Sequence, residues 1–137
     1  MDDCIFCKII NDEIPSFTLY EDDIAKVILD RFPSNIGHAL VISKKHYRNI
    51  IDVDEETYAH MMKLASRYAK ALYNECEGIN ILQNNEEVSG QTVFHLHIHI
   101  IPRYKNDSVK ILWENKDPSL EEFEGIKNRF SKETIWD

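Results

Sequence analysis

Apolar residues recur along this chain in two periods. Short apolar runs at Phe17–Glu21 and Ile24–Asp30, divided by Asp22-Asp23, predict the two strands of a hairpin. His38–Ser43 predicts a third strand, after a loop over Arg31–Gly37 that holds Pro33, Asn35 and Gly37. Ile79–Gln83 and Val93–Ile101 predict the fourth and fifth, with the polar loop Asn84–Gln91 between them. Elsewhere the spacing is three and four. Tyr58, Met61, Met62, Ala65, Tyr68, Ala69 and Leu72 mark the buried stripe of one long helix. Asp52 or Asp54 caps its start, it runs to about Glu75, and Gly78 closes it as a left-handed cap. His60 lies off that stripe and reads as a surface residue, and Cys76 reads as a free structural thiol. Ile5–Ile10 predicts a short helical turn, and Pro118 opens a last helix to about Phe130. Adjacent strands with one long helix make an α+β domain: a mainly antiparallel five-stranded sheet, the long helix and a short N-terminal helix.

The fifth strand carries the chemistry. It reads His95-Leu96-His97-Ile98-His99-Ile100-Ile101, so on a period of two the three imidazoles leave one face and the aliphatic residues leave the other. Imidazole can serve as base, nucleophile or metal ligand near neutral pH. One catalytic metal on all three is disfavoured, because His95 and His99 would lie about 13 Å apart along a strand.

Bulk properties narrow the setting. A chain of 137 residues, 43% hydrophobic, suits one domain with a real core. A net charge of −8 argues against non-specific nucleic-acid binding and leaves room for a local phosphate pocket. No apolar stretch is long enough to cross a membrane, and Met1-Asp2-Asp3-Cys4 lacks the pattern of a signal peptide. Three cysteines do not make a disulfide framework, and Cys4-x-x-Cys7 has metal-clip spacing, so a cytoplasmic location is expected.

The residues as a set resemble the histidine-triad family. The run from His95 to Ile101 resembles its signature. So do Cys4-Ile5-Phe6-Cys7-Lys8-Ile9-Ile10, Gly37-His38-Ala39-Leu40-Val41-Ile42 with Lys44-Lys45-His46, and Asn84 through Gly90-Gln91-Thr92-Val93-Phe94, in the same order. The resemblance places a domain of this type at residues 1–104, with 105–137 as a C-terminal extension of the same domain. It implies a hydrolase or transferase that cleaves nucleoside phosphoramidates or dinucleoside polyphosphates at the α-phosphate. His97 is then the nucleophile, passing through a nucleotidyl-imidazole and releasing a nucleoside monophosphate. His99 holds the phosphate or leaving group, and His38 fixes the tautomer of His97. Asn84, Gly90, Gln91 and Thr92 reach the phosphoryl oxygens, and Asp30 holds the ribose. Ile5, Phe6, Ile9, Ile14 and Ile28 line the base of a purine nucleotide. Pro102-Arg103 resembles the dinucleoside polyphosphate branch.

The resemblance also implies a structural zinc on Cys4, Cys7, His46 and His95, a closed four-ligand shell. Two other functions stand beside this one: a zinc metallohydrolase using His95 and His97, and a nucleotide-binding signalling protein with little turnover. Two departures from the family pattern are noted. Glu86 and Glu87 sit in a loop that is richer in glycine in many relatives, where carboxylates repel phosphate unless they face solvent. Ser43 stands where proline is frequent, and little is expected of it. A homodimer is expected, with Asp54–Glu75 and Ile79–Gln83 at the two-fold interface, because pairing an edge strand removes unpaired backbone groups.

Overall fold

The structure, a computed structural model, describes residues 3–137; Met1 and Asp2 of the acidic start lie outside the described residues. Its elements are α1 (Ile5–Ile10), β1 (Thr18–Glu21), β2 (Ala25–Leu29), β3 (Ala39–Ser43), α2 (Glu55–Leu72), β4 (Gly78–Leu82), β5 (His97–Arg103), α3 (Leu120–Phe130) and α4 (Glu133–Trp136). Among the described residues the strands form one five-stranded sheet in the order β1-β2-β3-β5-β4, with every pair antiparallel. The expected α+β architecture is therefore the observed one.

Strand alternation sorts the side chains into two layers. Ala25 and Val27 of β2, Val41 of β3, and Ile98 and Ile100 of β5 pack with Met61, Leu64 and Ala65 of α2. The alternate residues Ile28, Leu40 and Ile42 face the other way and pack with Phe6 and Ile9 of α1. His97 and His99 share this second side, because they alternate with Ile98 and Ile100. Removing a buried aliphatic side chain from either layer costs about 2–5 kcal/mol.

Several boundaries differ from the sequence expectation. Asp54 caps α2, accepting the Thr57 N–H at 3.0 Å, but the helix ends at Leu72 rather than Glu75. Gly78 is not its cap. Residues 73–77 turn through ordinary backbone, and Gly78 begins β4 without a positive φ. Leu64, outside the expected stripe, is buried with Met61 and Ala65. β5 starts at His97, not Val93, because the preceding segment bonds to a loop: the Leu96 N–H donates to the Tyr47 carbonyl at 2.8 Å. β5 also runs past the expected Ile101, through Pro102 to Arg103. Pro102 pairs with Ile79 beyond the end of β3, where β5 has a neighbour on one side only.

The last segment behaves differently from the rest. Ser119 and Glu122 form a capping box at the start of α3, one residue past the expected Pro118. Yet every residue from Leu112 onward is exposed, including Trp113, Phe123, Phe130 and Trp136.

His60 is more than a surface residue. Its Nε2 lies 2.7 Å from Asp22 Oδ2, while Asp22 Oδ1 accepts the Ile24 and Ala25 N–H groups, so α2 is tied to the β1–β2 turn. Burial alone raises the Asp22 pKa; the His60 and backbone hydrogen bonds outweigh it and hold the carboxyl at about 2. A depressed carboxylate stabilises the fold fully above its unfolded pKa, near 3.9, and that contribution fades as pH falls through the folded value. Asp22→Asn is expected to lower Tm at pH 7 by roughly 3 °C. Thermal scans from pH 6 to pH 2 should show the gap to wild type closing with acid. A gap independent of pH overturns this account of Asp22.

Candidate active site and metal centre

The imidazoles meet where β5, β3 and α1 converge. His97 and His99 ring centroids are 4.9 Å apart, and Phe6 packs edge-on to His97 at 4.9 Å. Ser34, His38 and His99 then set one another's tautomers. The Ser34 N–H donates to His38 Nδ1 at 3.0 Å, so His38 carries its proton on Nε2. That Nε2–H donates to His99 Nδ1 at 2.9 Å, which leaves His99 with its proton on Nε2. Asp30 Oδ2 stands 3.5 Å from His38 Nε2, and Asp30 Oδ1 accepts the Phe32 N–H at 2.9 Å. Gly37, at φ 99°, makes the left-handed turn that brings His38 into position, and its carbonyl accepts the Tyr68 hydroxyl at 2.7 Å.

His97 is set independently. Its Nδ1–H donates to the His95 carbonyl at 2.7 Å, leaving Nε2 with a free lone pair. This corrects the expected pairing: His38 orients His99, and a backbone carbonyl orients His97. The reason is the β3–β5 register, which puts His99 opposite Leu40 and near His38, and His97 opposite Ile42. Burial pushes the pKa of His97 down, and that of His38 as well, although Asp30 acts in the opposite sense on both. Burial, reinforced by His97 and His38, brings His99 down to about 4. In all three the shift favours the neutral imidazole.

A cavity of about 800 Å³ opens onto this pair. Ile5, Phe6, Ile9, Ile14, Ile28, Asp30, Thr92, His97 and His99 all line it, as does Phe32, which the sequence reading did not single out. This volume lies within the usual range for a small-molecule site.

Other expected contacts fall elsewhere. Asn84 and Gly90 do not line the cavity; they lie against each other, and a Cβ on Gly90 would come within 3.3 Å of Asn84 Nδ2. Gln91 is buried with its amide already engaged. Its Nε2 donates to the Arg48 and Val93 carbonyls at 2.8 and 3.1 Å, and its Oε1 accepts from the Glu86 N–H and Asn49 Nδ2. It braces the loop instead of reaching into the cavity. Glu86 is neutralised by Arg48 at 2.6 Å, and neither Glu86 nor Glu87 lines the cavity. Arg103 is held by Asp107 and Asn80, also outside the cavity, so the Pro102-Arg103 pair carries no contact to it.

The metal-type cluster lies on the other side of Phe6. Donor atoms of Cys4, Cys7, His46 and His95 all fall within 4.8 Å of one another. Cys4 Sγ is 3.3 Å from His95 Nδ1, and Cys7 Sγ is 3.2 Å from His46 Nδ1 and 3.5 Å from His95 Nδ1. Tetrahedral zinc with usual bond lengths spaces sulfur and nitrogen ligands by about 3.6 Å, so the donor set fits that ion. His97 is absent from the cluster, which removes the geometry an open site on His95 and His97 requires.

Ser43 matters more here than its sequence position suggested. It is fully buried, and its carbonyl accepts the His95 Nε2–H at 2.7 Å, so Nδ1 is left free to face the cysteines. The available signal was a polar residue closing an otherwise apolar strand. Asp30, His38 and His99 form a second convergence of potential ligands, but the hydrogen-bonded chain described above already accounts for it.

Comparison with known proteins agrees with these features. Residues 11–106 match the HIT domain family. An uncharacterised HIT-like protein of Borreliella burgdorferi is 39% identical over 96% of this chain and 98% of its own. The adenosine 5'-monophosphoramidase of Saccharomyces cerevisiae is 44% identical over 73% of this chain and 62% of its own. The crystal structure of a HIT family protein from Bacillus anthracis superposes with TM-score 0.88 at 36% identity, covering 95% of this chain and 96% of the other. A zinc-bound histidine triad family protein from Mycobacterium smegmatis superposes with TM-score 0.74 at 36% identity, covering 88% and 87%. With His97 and His99 on one face of β5, His95 just before it, and the family match spanning most of its length, the chain belongs to the HIT family.

Proposed function

We propose that the protein is a nucleotide hydrolase that cleaves nucleoside phosphoramidates or dinucleoside polyphosphates at the α-phosphate through a nucleotidyl-His97 intermediate. The observation that carries this is the tautomer of His97. A neutral imidazole held by its Nδ1–H against the His95 carbonyl offers a lone pair at Nε2 beside the cavity. Named phosphoramidase activity in a relative supports the reaction class.

The step is a displacement at phosphorus. His97 Nε2 forms the new bond, and the bond to the leaving nitrogen or oxygen breaks with its electron pair. The leaving atom takes a proton from solvent as its bond breaks, while His99, with Nε2–H outward, hydrogen-bonds the phosphate or leaving group and keeps its own proton. Water then attacks phosphorus, loses one proton to solvent and releases neutral His97 with the monophosphate. Asp30 is assigned to the ribose and Ile5, Phe6, Ile9, Ile14 and Ile28 to a purine base. Thr92 is assigned to the phosphoryl oxygens, with Asn84, Gly90 and Gln91 supporting that loop from behind.

Zinc, when bound by Cys4, Cys7, His46 and His95, supplies structural cross-linking; a closed four-ligand shell leaves no position for substrate. The chain is proposed to work as a cytoplasmic homodimer in which residues 105–137 extend the same domain. The edge position of β4 and the exposed apolar residues of α3 support it. Light scattering at micromolar concentration should give twice the chain mass.

His97→Ala is expected to lower kcat on adenosine phosphoramidate by at least about a thousandfold while nucleotide binding persists. Retention of a tenth of wild-type activity overturns the nucleophile. Multiple turnovers by wild type distinguish the hydrolase from a nucleotide-binding signal protein.

The depressed pKa of His97 has a visible consequence. Its neutral, nucleophilic form persists to lower pH than that of an exposed histidine. The acid limb of the kcat/KM profile is therefore expected below the ordinary histidine value of about 6.5. An acid limb at or above that value contradicts the assignment.

Elemental analysis should find one zinc per chain. Cys7→Ser should lower Tm by several degrees and leave the chemical step of the zinc-loaded fraction close to wild type. Full stability of metal-free protein overturns the zinc assignment.

A further inference from the structure

Glu86 has φ 76° and ψ 156°. Side chains essentially never adopt this backbone region, which belongs to glycine, and such a residue persists only where its surroundings over-determine it. The surroundings here do so. The Glu86 N–H donates to Gln91 Oε1 at 2.8 Å, and its carbonyl accepts the Ser89 and Gln91 N–H groups at 3.1 and 3.2 Å. Its carboxylate accepts from Arg48 Nη2 at 2.6 Å, Arg48 Nε at 3.3 Å and Asn49 Nδ2 at 2.9 Å. The Ile50 N–H donates to Asn85 Oδ1 at 2.8 Å, and the Arg48 guanidinium lies 4.5 Å from the Phe94 ring centroid.

A half-exposed ion pair such as Arg48–Glu86 contributes little to stability by itself. Its placement is what matters. The clamp joins residues 48–50 to the loop that runs through Gln91 into Thr92 and Val93, and Thr92 and Val93 form part of the cavity wall beside His97. Gln91 is the link, since one amide oxygen takes both the Glu86 N–H and Asn49 Nδ2.

We propose that Glu86 is a positioning residue: held by Arg48, Asn49 and Gln91 in a glycine-type conformation, it fixes how Thr92 and Val93 meet the phosphate of a substrate bound at His97. This rests on the hydrolase reading above. Glu86 touches no reacting atom; it acts through Gln91. The Arg48 and Asn49 hydrogen bonds also hold its carboxyl at about 2, so the clamp stays charged across neutral pH.

Three variants of the full chain separate this from a plain surface ion pair. Glu86→Ala removes the clamp and keeps the steric penalty at positive φ. Glu86→Gly removes the clamp and the penalty together. Glu86→Gln keeps much of the hydrogen bonding. With adenosine phosphoramidate, Glu86→Ala is expected to lower kcat about tenfold, because a small displacement of a positioning wall acts on the reacting geometry. Glu86→Gly should lose clearly less than Glu86→Ala, and Glu86→Gln should keep most of the rate. AMP affinity by calorimetry should stay within about twofold in all three, since the base and ribose contacts lie elsewhere. Equal kcat for the Ala and Gly variants, or an Ala variant within twofold of wild type, overturns the proposal. If wild type turns over neither the phosphoramidate nor diadenosine tri- or tetraphosphate, the hydrolase reading falls separately. The Thr92 and Val93 amide resonances then decide the clamp. Displacement in Glu86→Ala with recovery in Glu86→Gln supports it, and unchanged resonances overturn it.

Discussion

Everything in this molecule leans on the desolvation of β5. The strand is central, flanked by β3 and β4, and its two faces are covered by different chemistry. Ile98 and Ile100 enter the layer beneath α2, and His97 and His99 lie on the side of α1. Both faces are largely shielded from solvent. For an aliphatic residue that is the usual driving force of folding. For an imidazole it penalises the protonated form, so the burial that stabilises the sheet also keeps these histidines neutral. A neutral imidazole needs its single proton assigned to one nitrogen. The His95 carbonyl does this for His97, and the Ser34–His38 chain does it for His99.

The cavity and the metal-type cluster are coupled through α1. Six residues are too few to form a stable helix alone. Three anchors hold it. Cys4 and Cys7 face His46 and His95, Phe6 and Ile9 enter the core, and the buried Lys26 ammonium donates to the Ile9 carbonyl at 3.1 Å, at the helix end that favours cations. Ile5, Phe6 and Ile9 of the same helix line the cavity. A metal held at the cluster would therefore bear on the wall of the cavity through α1. His95 joins the two regions from the other direction, since its ring faces the cysteines and its carbonyl orients His97.

What the sequence made legible follows from periodicity. Alternation in β5 and the stripe of α2 are local patterns, and each reports which face is buried. The four metal-type ligands and the cavity-lining residues of α1 and β2 were readable through the family resemblance; spacing alone pointed only to Cys4 and Cys7. The misplacements share a cause: they depend on hydrogen bonds between distant segments. Nothing near His38 in sequence indicates that its partner is His99 rather than His97; that is decided by the β3–β5 register, Leu40 opposite His99. Gln91 looked like a donor to phosphate because it precedes the triad, yet Arg48 and Asn49, some forty positions away, take up its amide. Gly78 matched a helix cap by type, but the chain turns before it and uses it to open β4.

A division of labour follows from where rigidity lies. His97 and His99, the groups assigned to bond making, sit on β5, whose backbone is held by ladders to β3 and β4. The groups that meet the rest of a ligand sit on α1, on the loop after β2, and on the segment before β5, which lack such ladders. The tautomer of His97 is set by the His95 carbonyl just before β5, and that of His99 through the Ser34 N–H and His38 just before β3, so both depend on the immediate flanks of the sheet. On the proposed reading, bond making falls to a strand held by backbone ladders, and ligand preference to parts held mainly through side chains. That is why a triad on one strand identifies the chemistry more firmly than it identifies the leaving group.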